Sequence, residues 1–334
     1  MNDSSVFVGM DYHKDSIQVC VMDDRGRVLG NRSCGNDPQA VATYVSRSGR
    51  VRGAALESCE GTADFADHLI ALTGWSVDLA HPGYVQRLRQ SPDKTDYSDA
   101  RLLADLERVG YVPRVWLAPQ RIRELRRLVR YRRQLVNERR NAKLRIRALL
   151  REHRRTLSAP RWGLAWYRWM RCVDLPEQSR WILDRHLSRL AQLNDDVKAV
   201  ERRLEAVTKH DEVVEKLLSL PGIGPVTAWV LLAEVGRFDR FRSGKQLARF
   251  CGLTPQNASS GRREADAGLI RCCNQDLRSV LIEAGHRLKR YDPRWSALSQ
   301  RLRETGKPGS VIVVAVANRW MRWLYHEMKT YRAA

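Results

Sequence analysis

Asp96 and Asp99, three residues apart in SPDKTDYSDARLLADL (91–106), stand where a helix begins in a chain with formal net charge +21. Two chemistries suit them. Aspartate is a favoured helix cap, and acids in the first turn complement the positive end of the helix dipole. A spacing of three also sets both carboxylates on one helix face, where they can share a cation. Two more acids end β-rich runs upstream, Asp11 in VGMDYHK and Glu57 in AALESCEG. A lone acid at a strand end is most often a turn former. Glu60 and Asp64 compete with Glu57, which is preferred because it directly ends the apolar run AAL. Four carboxylates gathered at one sheet edge repel one another, and one pKa rises unless a divalent cation sits among them. Hard oxygen donors suit Mg²⁺ or Mn²⁺, and a two-metal cluster on a phosphodiester stabilises both the entering and the departing oxygen.

The C-terminal third carries two further signals. LPGIGPVTAWVLLAEVG (220–236) has helix–hairpin–helix spacing, with Gly222 and Gly224 flanking one apolar residue just before a helix. Such a hairpin presents backbone N–H groups to a phosphate, although an ordinary tight turn between core helices has the same spelling. Ser259–Ser260–Gly261 follows Pro255 in a polar stretch beside Arg262 and Arg263. Ser-Gly alone is a turn, and no GxSxG elbow surrounds it, which disfavours a hydrolase triad. Seven cysteines without a CxxC pair argue against a disulfide framework and a structural zinc, and for a reduced, cytoplasmic setting.

The elements that must position these residues alternate in type at the start. VFVGMDYH (6–13), SIQVCVMDD (16–24) and GRVLGNRSC (26–34) read as strands, and 38–46 as a helix. A buried strand over 52–60, a helix over 62–72, a strand in WSVDLAHP (75–82) and a helix ended by Gly110 follow. That is an α/β domain on one mixed sheet. From Arg121 to Arg155 the chain has fifteen Lys and Arg against three Glu and no Gly or Pro. Leu125, Leu128, Leu135, Ala142, Ile146 and Leu149 give it a narrow apolar seam. A second helical run, 176–208, has its seam through Ile182, Leu187, Leu190, Leu193 and Val197, and the two pair as an antiparallel hairpin or with another subunit. Trp162, Trp166 and Trp169 lie between them, as helical core or as stacking surfaces for bases. The expected division is an α/β domain over 1–115, a basic coiled-coil segment over 116–212 and a mostly helical domain over 213–334.

With 59 Lys and Arg against 38 Asp and Glu, nucleic acid is the default partner. Among candidate contacts are Arg139, Arg140, Lys143 and Arg147 on the basic helix. The longest apolar run, VIVVAVA (311–317), is too short to span a membrane, and the first residues do not read as a secretory signal.

The pieces VGMDYHK, ALES and KTDYSDA together resemble the RuvC-type DEDD domain of the serine-dependent insertion-sequence transposases, the bridge-RNA-guided DNA recombinases. PGIG, GLTP, SSG and NQDLR fall in the order of that family's transposase domain. The resemblance implies an RNase H-like fold, with the metal-binding acids at Asp11, Glu57, Asp96 and Asp99. It implies a covalent phosphoserine link at Ser260, with Ser259 as the near competitor. This sequence reads ESCEG where many members carry a Glu–Ala–Thr–Gly-like segment, and Cys273 stands where Gly commonly precedes Asn. Composite sites in a homo-oligomer (dimer to tetramer), donor and target DNA as substrates, a guide RNA as partner and a nucleoid-associated setting are implied as well. The rival functions are an RNase H-like metal-dependent junction nuclease without a covalent intermediate, and a catalytically inactive nucleic-acid-binding protein.

Overall fold

The computed structural model describes residues 5–88, 95–158, 161–258 and 266–329. The chain divides into two compact units, Met1–Gln120 and Arg121–Ala334.

In the first unit, β1 (Ser5–Tyr12), β2 (Ser16–Asp23) and β3 (Val28–Gly35) form an antiparallel meander. Helix α1 (Pro38–Val45) leads to β4 (Arg50–Glu57), which pairs parallel with β1. Helix α2 (Thr62–Thr73) leads to β5 (Val77–Ala80), parallel to β4. After α3 (Pro82–Leu88) and α4 (Asp96–Arg108), the two-residue β6 (Arg114–Val115) pairs antiparallel with β5. The sheet order β3-β2-β1-β4-β5-β6, with parallel pairing only from β1 to β5, is the RNase H-like arrangement expected from the sequence. Neither α3 nor β6 was legible in the sequence, being too short to carry a period.

Alternation along the strands sends neighbouring side chains to opposite faces. Val6, Val8, Met10, Ile17, Val19, Val21, Ala54 and Leu56 form a core with Phe65 and Leu69 of α2 and Val41 and Val45 of α1. Helix α4 covers the other face, where Cys20 and Met22 meet Ala100 and Ala104, and Ala55 and Ala80 meet Leu103 and Leu106. At Gly9 the approach is closest. A Cβ there would lie 2.0 Å from the Ala100 carbonyl oxygen and 2.2 Å from the Ala104 nitrogen. Glycine on the strand and alanines on the helix let backbone meet backbone.

The second unit opens on α5 (Gln120–Glu152), 33 residues and about 50 Å long. Helix α6 (Leu164–Cys172) precedes α7 (Glu177–Thr208). Arg132 donates to Glu201, and Arg189 to Glu138, so the two long helices run antiparallel. Ile146, Leu150, Trp166, Met170, Leu183 and Leu190 form the core at the hairpin tip. Trp166 is thus core, with Trp162 and Trp169 packed beside it.

Leu125, Leu135, Ala142 and Ile146 of α5 and Leu190, Leu193 and Val197 of α7 are buried as the sequence predicts, and the seams differ by one residue at Leu128, Leu149 and Ile182. In α7 the buried residues are Leu183, Leu190, Leu193, Val197, Val200 and Leu204, whereas Ile182 is 39% exposed. In α5, Val129 and Leu150 are buried and Leu128 and Leu149 only partly so. A strict seven-residue step from Leu183 through Leu190 and Val197 to Leu204 fixes the phase, and adjacent apolar residues hide it in the sequence.

Beyond the hairpin come α8 (Glu212–Leu218), α9 (Pro225–Val235), α10 (Gly244–Phe250), the paired strands β7 (Pro255–Asn257) and β8 (Asp266–Leu269), then α11 (Gln275–Tyr291), α12 (Pro293–Glu304) and α13 (Gly309–Met328). Every residue of α9 from Thr227 to Val235 is buried, and α13, which carries VIVVAVA, packs on α10 and α11. Among the described residues no helix is long and apolar enough to cross a membrane.

Candidate metal centre

Asp11 and Glu57 reach the α4 side of the sheet by parity. Met10 pairs with Leu56 across the parallel β1–β4 ladder, so Asp11 and Glu57 follow one step on, at the same ends of adjacent strands. Met10 and Leu56 face α1 and α2, and the next residues therefore face α4.

The start of α4 brings the other two acids. Thr95 is the N-cap: its hydroxyl accepts from the Ser98 amide at 3.1 Å, and the Ser98 hydroxyl accepts from the Thr95 amide at 3.2 Å. This reciprocal capping box takes the role that either aspartate would otherwise fill. Asp96 is 60% exposed and Asp99 only 4%. Both remain in the first turn, where the helix dipole favours negative charge.

His13 completes the cluster and had not been singled out in the sequence. Its Nε2 lies 3.3 Å from Asp11 Oδ2 and 3.3 Å from Asp96 Oδ2. Asp11, His13 and Asp96 offer ligand atoms within 4.8 Å of one another. The signal was in plain view, as His13 sits two residues past Asp11 on the same strand end, and only the fold of α4 over that end gives it meaning.

Burial pushes the Asp11 carboxyl above the usual carboxylate range. His13 opposes that shift, while the charges of Asp99 and Asp96 add to it. Glu57 and Asp11, after burial, both push the Cys59 thiol up, which places their charges in one neighbourhood. This is the signature of gathered negative charge short of a counter-ion. The donor set that the structure groups, two carboxylates with one imidazole nitrogen from Asp11, Asp96 and His13, fits a divalent cation, while Glu57 and Asp99 stand outside that 4.8 Å group.

Ser259, Ser260, Gly261, Arg262 and Arg263 fall outside the described residues, between β7 and β8. The segments flanking them are tied together. Arg278 donates to the carbonyl of Ile270 at 2.8 Å and to that of Gly252 at 3.5 Å, joining GLTP to NQDLR. Asn274 caps α11 by accepting from the amides of Asp276 and Leu277. Cys273 packs against Gly252: a Cβ at that glycine would lie 2.4 Å from the Cys273 Sγ.

The 220–236 hairpin is a turn between α8 and α9, with Gly222 at φ +78° and Gly224 as the N-cap of α9. Arg287 donates to the Gly222 carbonyl at 3.1 Å and to the Thr227 hydroxyl at 3.1 Å, so the turn is clamped to α11.

A family model for the DEDD type of IS110, described as "Transposase", matches residues 8–154. A second, described as "Transposase IS116/IS110/IS902 family", matches residues 214–300. The transposase for insertion sequence element IS1111A of Coxiella burnetii is 27% identical over 344 residues, covering 97% of this chain and 91% of that protein. The transposase for insertion sequence element IS1328 of Yersinia enterocolitica is 29% identical, covering 80% of this chain and 81% of its own length. A probable family 20 transposase of Pseudomonas aeruginosa is 28% identical over 95% of both chains.

Proposed function

We infer that this chain, which belongs to the IS110 family of insertion-sequence transposases, cuts and rejoins DNA by pairing a carboxylate-held Mg²⁺ or Mn²⁺ with the hydroxyl of Ser260. The observation that carries the metal half is the approach of Asp96 and Asp99 to a half-buried Asp11, with Glu57 one strand over: burial raises the Asp11 pKa, and the charges of Asp99 and Asp96 add to that rise.

Asp11, Glu57, Asp96 and Asp99 hold the cation, and His13 orients Asp11 and Asp96 from 3.3 Å. When bound, the cation lowers the cost of charge on the attacked phosphate and of removing the serine proton. Ser260 Oγ loses its proton and forms a bond to phosphorus, and the bond from phosphorus to the departing sugar oxygen breaks as that oxygen takes up a proton. The phosphodiester energy stays in the protein–DNA ester, so resealing needs no ATP. Arg262 and Arg263 neutralise the phosphate backbone beside the serine, and the Gly222–Gly224 turn offers amides to a neighbouring phosphate. Target choice belongs to a structured guide RNA. A net charge of +21 and the lack of a zinc-finger pattern in the sequence accord with a protein that reads backbone and shape.

The test is a trapped adduct. Denatured after incubation with labelled DNA and Mg²⁺, the wild-type protein is expected to carry a covalent nucleotide. Ser260→Ala removes it. Adduct loss on Ser259→Ala in place of Ser260→Ala moves the nucleophile by one residue, and cleavage without any adduct makes the protein a junction nuclease. Asp96→Asn is expected to lower strand exchange at least about 1000-fold while DNA affinity stays within about twofold. RNA recovered from natively purified protein, or none, decides the guide.

A further inference from the structure

The cations of α5 fall into two populations. Towards the N-terminus they are neutralised within the unit. Arg130 makes a bidentate pair with Glu234 at 2.9 and 3.0 Å, Arg133 pairs with Asp276 at 3.0 Å, and Arg121 pairs with Asp211. Towards the C-terminus such pairs thin out, although Arg155, just past the helix and in the lining described below, pairs with Asp174 at 2.8 Å. Arg139 donates to the neutral Asn194 at 3.4 Å. Among the described residues no carboxylate lies within 4.0 Å of Arg140, Lys143, Arg147 or Arg151. Lys143 is held instead over the Trp162 ring, 4.8 Å from its centroid. An indole face fixes an ammonium without cancelling its charge. Trp162 itself sits at φ +67°, a backbone conformation that non-glycine residues rarely adopt.

These residues line two adjoining hollows at the hairpin tip. One, about 410 Å³, is bordered by Arg139, Arg140, Lys143 and Trp162, and the other, about 250 Å³, by Arg151 and Arg161. Arg147 lines both. No Asp, Glu, Asn or Gln lines either hollow. The lining therefore donates hydrogen bonds and positive charge, and it lacks the Asn, Gln, Asp and Glu that pair bidentately with adenine or accept from cytosine. The groove lies about 25 Å along α5 from Arg130, taking 1.5 Å per residue to Arg147. What it holds is remote from the helices that Glu234 and Asp276 belong to.

We propose that this acid-free groove at the hairpin tip binds the backbone of the DNA flanking the cleavage site, independently of sequence. The proposal rests on the reading of the chain as a transposase acting on DNA. Charge complementarity selects the occupant: like charges crowded without counter-ions gain most from a polyanion, and burial together with Arg139 already pulls the Lys143 pKa down. A lining weighted to Arg and Lys, without Asn, Gln, Asp or Glu, suits contacts to phosphate oxygens, which position a duplex rather than read it.

The experiment uses the full chain and fluorescent DNA duplexes with a constant core and flanks of increasing length, titrated by anisotropy between 50 and 200 mM salt. Wild-type affinity is expected to rise as the flanks lengthen. The R140Q/K143Q/R147Q variant is expected to lose that rise and to bind the core duplex as wild type does. Its slope of log K against log salt should fall by about 2.7, so the wild type loses about 40-fold more affinity over that salt range. The R140K/R147K variant keeps charge and is expected to keep both slope and flank effect, which separates charge from folding. An unchanged slope and flank effect in the triple variant overturns the proposal. So does a triple variant that keeps its DNA flank effect but loses affinity for a ribonucleotide strand of equal length, which would assign the groove to RNA. Adduct formation on the core duplex is read separately: its absence in the wild type sinks the phosphoserine chemistry and leaves the groove standing.

Discussion

Asp11 is the residue at which the fold works against itself. Its carboxyl is half-buried and faced by Asp96 and Asp99, with His13 as the opposing charge. A group arranged for a cation is unfavourable without one, so removing its charge should relieve the metal-free fold. Asp11→Asn is expected to raise the melting temperature without metal by about 2–4 °C and to abolish the further rise on adding Mn²⁺, both seen by calorimetry. A fall in melting temperature would mean that Asp11 is held by its partners rather than strained by them. His13 is the second test at this scale. As a nitrogen donor between two carboxylates it should matter more to Mn²⁺ than to Mg²⁺. His13→Ala is expected to weaken Mn²⁺ binding about tenfold in a spin-resonance titration. Equal affinity would leave the imidazole as an ion-pair partner alone.

Helix α4 is the element on which the candidate centre depends. Its first turn carries two of the acids, its middle rests on Gly9, and its last turn holds a buried carboxyl, Glu107, 9% exposed. Burial, then the neighbouring Asp78, pushes the Glu107 pKa up to about 7, with Arg114 opposing. The folded chain thus keeps a proton that the unfolded chain releases near 4.5. Stability from this group is complete below pH 4.5, declines as pH rises to about 7 and is level beyond. The decline amounts to as much as about 3 kcal/mol. Glu107→Gln is expected to flatten it, giving a higher urea midpoint than wild type at pH 8 and little difference at pH 4.5. A variant that loses stability at pH 8 would show that the charged form is welcome there. Much of α4 was readable, with its start, its end at Gly110 and its acidic first turn all evident from the sequence. The capping box was not read, because Thr95 and Ser98 look like ordinary polar residues until their reciprocal hydrogen bonds are seen.

At the scale of the molecule, the acids and the serine belong to different compact units, the acids before Gln120 and the serine after Arg121. If each working site takes its acids from one subunit and its serine from another, two dead proteins should complement. Mixing Asp96→Asn with Ser260→Ala protein under conditions that exchange subunits is expected to restore strand exchange to about a quarter of wild type, since half of randomly formed dimers would be mixed and each would own one intact site. A mixture as inactive as its components would place both halves in one chain.

Local pattern was enough to read the alternating strands and the basic helical hairpin, and to raise a polyanion partner and four acids as expectations, because hydrophobic period and charge are written residue by residue. Tertiary structure alone decided which of these residues meet. Strand parity and the closeness allowed at Gly9 bring Asp11 and Glu57 to the helix of Asp96 and Asp99, and they make a neighbour of His13. It also divided the arginines of α5, since a partner such as Glu234 lies 104 residues from Arg130 in the chain. Ion pairs, burial and seam phase depend on distances through space, and a sequence records only distances along the chain.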